Sequence, residues 1–410
     1  MKLILKNAAT IATCAASGKW CKRGSEMGDV GVVNDADIFI EEGIIRHIGK
    51  AADWPDSVIV DVSGKTIVPG FVDSHTHVIF AGTREREYAM RARGMSYAEI
   101  ASGGGGILDT VTKTRETPKS KLRSQAARRI DKMLNRGTTT LEIKSGYGLD
   151  FKNEVKLLEA ANELKEESIS DIVVTFLGAH TIPPEHVNDR GAYIDMLTDE
   201  LIPYISKRNL ARFCDVFCDD GFFSVDEARR ILTVAKEAGM LPKMHADELS
   251  SSGGVELAVE LGAVSVDHLE HITPGEIKAL AGRNTVGVVL PSVAAYLGSR
   301  PAPAREMIDS GCHVAIASDL NPGTSMVDNM QTVMFLAIAM NRMTVEEALN
   351  AATINAAAAL GLSDRLGSIE VGKQADLLIV DAEDYSALPY HFTENKITNV
   401  VKHGTLLEFS

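Results

Sequence analysis

The middle of the chain repeats one unit: an apolar, strand-like run that stops at a polar residue, followed by a helix-like stretch. The runs are Ile67–Asp73, Thr138–Ile143, Ile172–Leu177, Phe213–Phe217, Leu241–His245, Ala263–His268, Val286–Leu290 and Val314–Ser318. Helix-like segments such as Lys119–Arg136 and Val225–Ala238 lie between them. Eight alternations of this kind predict an α/β fold closed as a (β/α)8 TIM barrel. A doubly wound open sheet is the competing arrangement.

Both ends of the chain read differently. Short strand-like runs with glycine punctuation recur at Asp37–Ile40, Ile44–Ile48 and Val58–Val62, then at Gly367–Val371, Ala375–Val380 and Ile397–Val401. Two strand-rich ends around a different middle predict a composite β-sandwich domain from residues 1–65 and 362–410, with the barrel at 66–361. The run Gly103–Gly106 lacks the Lys-Ser/Thr of a phosphate loop, so it reads as a flexible loop and a candidate hinge.

The 410 residues suffice for a sizeable core without disulfide staples. A net charge of −14, with no cluster of Lys and Arg, argues against a nucleic-acid partner. A small anionic substrate stays open, because one placed arginine overrides the global field. The five cysteines are odd in number and irregularly spaced, which points to a reducing compartment. No signal-peptide pattern opens the chain, and no stretch of about 18 apolar residues is present. A cytoplasmic location is the expectation.

Chemistry concentrates where the strand-like runs end. Asp73-Ser-His75-Thr-His77 follows the first run. On a strand, residues i and i+2 share a face, so both imidazoles can aim at one point. His180, His245, His268 and Asp319 stand at or just past the ends of other runs. Scattered surface histidines would not choose strand ends so often. Imidazoles with one carboxylate make a mixed nitrogen and oxygen metal site. Other residues read two ways locally. Arg84 lies in Thr-Arg-Glu-Arg-Glu, which also suits a solvated helix start, and Tyr147 lies in the turn-like Ser-Gly-Tyr-Gly. Glu248 also suits a helix cap. Cys214 and Cys218 read as core packing, since two further soft ligands are lacking.

The pattern His75-Thr-His77, His245, His268 and Asp319 resembles that of the amidohydrolase superfamily, as does the return Gly367-Ser-Ile-Glu-Val-Gly-Lys-Gln-Ala-Asp376. Within it, five blocks are similar to the branch that opens the ring of 4-imidazolone-5-propanoate. They are Val72–Glu85, Glu142–Gly148, Phe176–Glu185, His245–Glu248 and Ser318–Thr324. Dinuclear members carry a modified lysine after strand four; Phe213–Asp220 holds none, which favours one metal.

The resemblance implies hydrolysis of that cyclic amide by a metal-activated water. It implies one zinc or ferric ion per subunit held by His75, His77, His245 and Asp319. Substrate contacts fall to Arg84, Tyr147, His180, Glu248, Asn321, Gly323 and Thr324, and catalytic roles to His268, Asp319 and Glu248. A homodimer is the family expectation. The rival reading is a related amidohydrolase that deaminates or opens another heterocycle; it needs no clamp for a propanoate.

Overall fold

The computed structural model describes residues 2–50, 54–95, 99–100 and 105–407. Strands β1 (Lys2–Ala12), β2 (Val32–Glu41), β3 (Ile44–Gly49), β4 (Val58–Asp61) and β5 (Thr66–Pro69) open the chain. The barrel strands are β6 (Phe71–Asp73), β7 (Thr138–Lys144), β8 (Asp171–Ala179), β9 (Phe213–Cys218), β10 (Leu241–Ala246), β11 (Ser265–His268), β12 (Val286–Val289) and β13 (His313–Ile316). Then come β14 (Leu377–Val380), β15 (Ile397–Lys402) and β16 (Thr405–Leu407).

The barrel strands pair in sequential order, β6 through β13, and every pairing is parallel. The seam between first and last strand closes just past the strand ends, through a parallel bridge from Thr76 to Leu320. This is the expected (β/α)8 barrel. Several of its helices bury one apolar stripe. Val225–Glu237 shows why: Ala228, Ile231, Leu232 and Ala235 recur at helical spacing and are buried, and Ser224 and Glu227 form a reciprocal cap at the start.

The second sheet takes strands from both chain ends, in the order β16-β15-β14-β5-β1-β2-β3, with β4 also on β1. Leu3, Leu5, Ile38, Ile40, Leu377 and Ile379 share one apolar core across it. Two expectations change. The run Ile67–Asp73 is not one barrel strand: β5 pairs with β1 and β14, and only β6 enters the barrel. The break falls at Gly70, where a Cβ would come within 2.2 Å of Thr139 Oγ1. Gly367–Val371 forms no strand. The Gly103–Gly106 reading falls partly outside the described residues. Among the described residues, no helix is long and apolar enough to cross a membrane. All five cysteines are buried and unbridged.

Candidate metal centre and active site

The barrel seam sets the site. Just past β6, the Asp319 N–H donates to the His75 carbonyl at 3.0 Å, and the His77 N–H donates to the Leu320 carbonyl at 3.0 Å. These bonds place the first and last strand ends side by side. The Nε2 atoms of His75 and His77 each lie 3.4 Å from Asp319 Oδ1. His245, from β10, brings its ring centroid to 4.5 Å from that of His75. His268 closes the group from the end of β11, its ring 5.5 Å from that of His75. All five side chains are buried.

Do these residues fit a cation? Buried polar atoms are almost always hydrogen-bonded. Here, among the described residues, His75 Nε2, His245 Nε2 and Asp319 Oδ1 are buried without a hydrogen-bond partner, as is His77 Nδ1. On the far sides of two rings, the hydrogen bonds are made. His75 Nδ1 meets Asp267 Oδ2 at 2.7 Å, and His245 Nδ1 meets Asp215 Oδ1 at 3.0 Å. Such carboxylates hold the proton on Nδ1 and leave the Nε2 lone pair for a metal. Burial pushes the His75, His77 and His245 imidazoles below their usual range, so the neutral ligand form prevails. The set His75, His77 and Asp319 and the set His75, His245 and His268 each bring ligand atoms within 4.8 Å of one another. The donors fit a metal ion.

Beneath this centre lies a wholly buried charge network. Lys144 Nζ sits 2.6 Å from Asp215 Oδ2, 2.9 Å from Glu142 Oε2 and 3.5 Å from Asp267 Oδ2. Lys243 Nζ lies 2.9 Å from Glu142 Oε1. Burial would lower the Lys144 ammonium, but Asp215, Glu142 and Asp267 outweigh it and hold it above its usual range. His75, Glu142 and Asp267 also come close enough together to bind a cation, yet Lys144 and Lys243 already lie against both carboxylates.

A cavity of about 470 Å³ opens above the donors. Arg84, Tyr147, His180, Glu248, Asn321 and Thr324 line it together with His77, His245, His268 and Asp319. Gly323 lies directly behind Arg84, where a Cβ would stand 2.2 Å from Arg84 Nη1. Arg84 is the N-cap of the helix Glu85–Ala92, and its Nε and Nη2 both donate to Glu87 Oε2, at 2.8 and 2.7 Å. The His180 ring stacks on that of His77 at 5.0 Å and its Nδ1 meets the Gly146 carbonyl at 3.1 Å. Burial pushes His180 down to about 3, so its ring is neutral.

Glu248 Oε2 stands 3.5 Å from His268 Nε2, and Glu270 Oε2 stands 3.7 Å from His268 Nδ1. Burial pushes the Glu248 carboxyl up to about 7. For His268 burial acts downward, but Glu248, Glu270 and Asp319 outweigh it and raise the imidazole to about 10. A proton is thus held between His268 and its carboxylates. The backbone is left-handed at His268 (φ 84°) and Asp319 (φ 48°). Such strain costs on the order of 1–3 kcal/mol per residue and gathers at functional sites. Asn321 organises the last loop: its amide N–H groups reach Asp319 Oδ2 (2.9 Å) and Thr324 Oγ1 (2.8 Å), while its Oδ1 accepts from Gly323 and Thr324.

Sequence reasoning named every donor above but not Asp215, Asp267, Glu142, Lys144 or Lys243. A signal for them existed. Glu142 and Lys144, Lys243 and His245, and Ser265 and Asp267 are pairs two apart within strands. That spacing sends both members of each pair to the same face, here the barrel interior. Glu87 and Arg91 were missed too. A second cavity, about 730 Å³, lies among the starts of β8 and β9 and the strands β15 and β16. It contains none of these donors, so the chemistry belongs to the smaller one.

A closed parallel barrel, with imidazoles and a carboxylate at its strand C-termini, is the frame of a metal-dependent hydrolase. The chain belongs to the amidohydrolase family, whose model matches residues 66–407. Within that family it sits among the imidazolonepropionases. It is 43% identical to the imidazolonepropionase of Geobacillus thermodenitrificans, over 99% of this chain and 97% of that protein. It is 42% identical to that of Clostridium tetani, over 99% and 98%. Among solved structures, a triazine hydrolase variant matches with a TM-score of 0.74 at 17% identity, covering 99% of this chain and 94% of that one. An adenosine deaminase from Xanthomonas campestris with bound zinc matches at 0.70 and 20%, covering 99% and 92%. At such identities these neighbours speak for the fold alone.

Proposed function

We propose that this protein hydrolyses 4-imidazolone-5-propanoate to N-formimidoyl-L-glutamate, a step of histidine degradation. One observation carries the reading: a single cavity joins a convergent imidazole and carboxylate donor set to a guanidinium, Arg84. The shared name of the relatives supports the substrate.

In this reading His75, His77, His245 and Asp319 hold one cation per subunit, and the donor set suits zinc or ferric iron. A cation there supplies water that loses a proton near neutral pH and polarises the ring carbonyl. Arg84 and Tyr147 bind the propanoate carboxylate, since a guanidinium recognises that group in bidentate fashion. Glu248 accepts a ring N–H, and His180, Asn321, Gly323 and Thr324 complete the substrate contacts. The oxygen of water bonds to the ring carbonyl carbon, and the bond from that carbon to ring nitrogen breaks. One proton passes from water to the departing nitrogen. Asp319 carries it to nitrogen, while His268, protonated beside Glu248 and Glu270, orients the water and stabilises the carbonyl oxygen.

The test is direct turnover of freshly made substrate, with loss of ring absorbance followed and the product identified by mass. Formimidoyl-glutamate that disappears with Arg84→Ala or on chelation supports the reading. Ammonia release from an aminated heterocycle, with imidazolone propanoate untouched, would replace it by the deaminase reading. We also propose a cytoplasmic homodimer; light scattering of the purified protein tests the dimer.

A further inference from the structure

Two guanidinium groups line the active-site cavity, Arg84 and Arg91. Their electrostatic situations differ. Arg84 spends one edge of its fork on Glu87, whose other oxygen accepts the Gly106 N–H at 3.0 Å. Glu87 therefore meets the charge of Arg84 and fixes its orientation. Arg91 stands two turns further along the same helix and is half-buried. Among the described residues no carboxylate lies within ion-pair distance of it. Its Nη2 donates to the Gly323 carbonyl at 3.1 Å, and its guanidinium lies 5.0 Å from the Tyr296 ring centroid and 6.0 Å from that of Tyr88. A carbonyl and two aromatic faces hold a cation in place without cancelling its charge.

We propose that Arg91 is a specificity-determining residue: it supplies the net positive charge that selects a carboxylate-bearing ligand, while Arg84 supplies geometry. This rests on the reading that the substrate carries an anionic tail. The chain bears a net charge of −14, and Glu248 and Asp319 add carboxyl groups to the same cavity. The carboxylate tail needs a cation beyond those of the metal centre, and Arg84 with Glu87 is close to a neutral unit. Through Gly323, Arg91 also touches the loop that backs Arg84. One helix therefore sets both charge and register at the tail end of the cavity.

The experiment compares two probes by calorimetry on the metal-loaded protein: imidazole-4-propanoate and its uncharged amide. The native protein is expected to prefer the acid by roughly ten- to hundredfold, the range of a lost charged hydrogen bond. Arg91→Gln should erase most of that preference, and Arg91→Lys should retain part of it. With imidazolone propanoate as substrate, Arg91→Gln should raise KM much more than it lowers kcat. It should also flatten the dependence of kcat/KM on ionic strength. Circular dichroism and thermal melting confirm that both variants fold. An acid preference intact in Arg91→Gln overturns the assignment. Arg91→Lys as poor as Arg91→Gln overturns it too, since the Gly323 bond and not the charge would then matter. A native protein that binds the acid through Arg91 yet turns over no imidazolone propanoate removes the proposed substrate and leaves Arg91 in its role.

Discussion

Asp319 and His75 meet twice: backbone to backbone at 3.0 Å, and Nε2 to Oδ1 at 3.4 Å. The seam that closes the barrel and the centre that holds the donors are therefore one structure. Asp319→Ala keeps its N–H, so the seam survives while one donor is lost. We expect a folded protein whose bound metal, measured by plasma mass spectrometry, falls far below one per chain, with turnover lost alongside. Chelation of the native protein should abolish turnover, and added zinc or iron should restore it. A fully active, metal-free Asp319→Ala would refute the donor assignment.

Asp267 and Asp215 act one layer below. Each fixes the tautomer of a donor histidine through its Nδ1. Asp267→Asn and Asp215→Asn should each cost about 10–100-fold in metal affinity or activity. Competition with a chromogenic chelator measures this. Unaltered affinity in both variants would show that the histidines are oriented without them.

Lys144 is fully buried among three carboxylates. Lys144→Met leaves those charges uncompensated, and breaking a buried pair by removing one partner costs about 3–5 kcal/mol. Urea unfolding should show that loss. Combining it with Asp215→Asn should cost less than the sum, because the two residues share one interaction.

Gly323 has no room for a methyl group, which would stand 2.2 Å from Arg84 Nη1. Gly323→Ala should shift that guanidinium. A displacement near 1 Å in a positioning group costs about 100-fold in rate. We expect the change in kcat/KM, with metal content unchanged. Native kinetics would show that Arg84 does not position the substrate.

Asp171 links barrel and terminal sheet. Its carboxylate takes hydrogen bonds from Lys402 at 2.9 Å and Gln374 at 2.8 Å, with His403 at 3.3 Å. Burial would raise its carboxyl, but His403, Lys402 and Gln374 outweigh it and hold it below the usual carboxylate range. A folded value below the unfolded one, about 3.9, stabilises the protein above that pH. The contribution is lost as pH falls through the folded value. Asp171→Asn should thus destabilise at pH 7 by roughly 1–3 kcal/mol. The gap to the native protein should narrow as pH falls below about 4. Equal gaps at neutral and acid pH would sink the linkage.

Strand existence and order were legible because apolar runs and polar stops repeat along the chain. The run Ile67–Asp73 shows the limit. Its apolar pattern is continuous, yet Gly70 divides it between two sheets, because both sheets bury apolar side chains and the pattern does not say which one. Gly367–Val371 departs for another reason: among the described residues its backbone bonds singly, Ile369 N–H to the Thr13 carbonyl at 2.8 Å, without a strand ladder.

By itself the sequence determined the chemistry of the donors: His75 and His77 two apart, and His245, His268 and Asp319 at strand ends. These are local facts, because strand periodicity sends alternate residues to one side. Tertiary structure alone decided what those donors touch. Asp267 and His75 are 192 residues apart, and Lys144 and Asp215 are 71 apart. Their contacts exist only because barrel closure turns one face of every strand toward a common interior. There an unpaired charge is too costly to persist, so each must meet a partner from another strand.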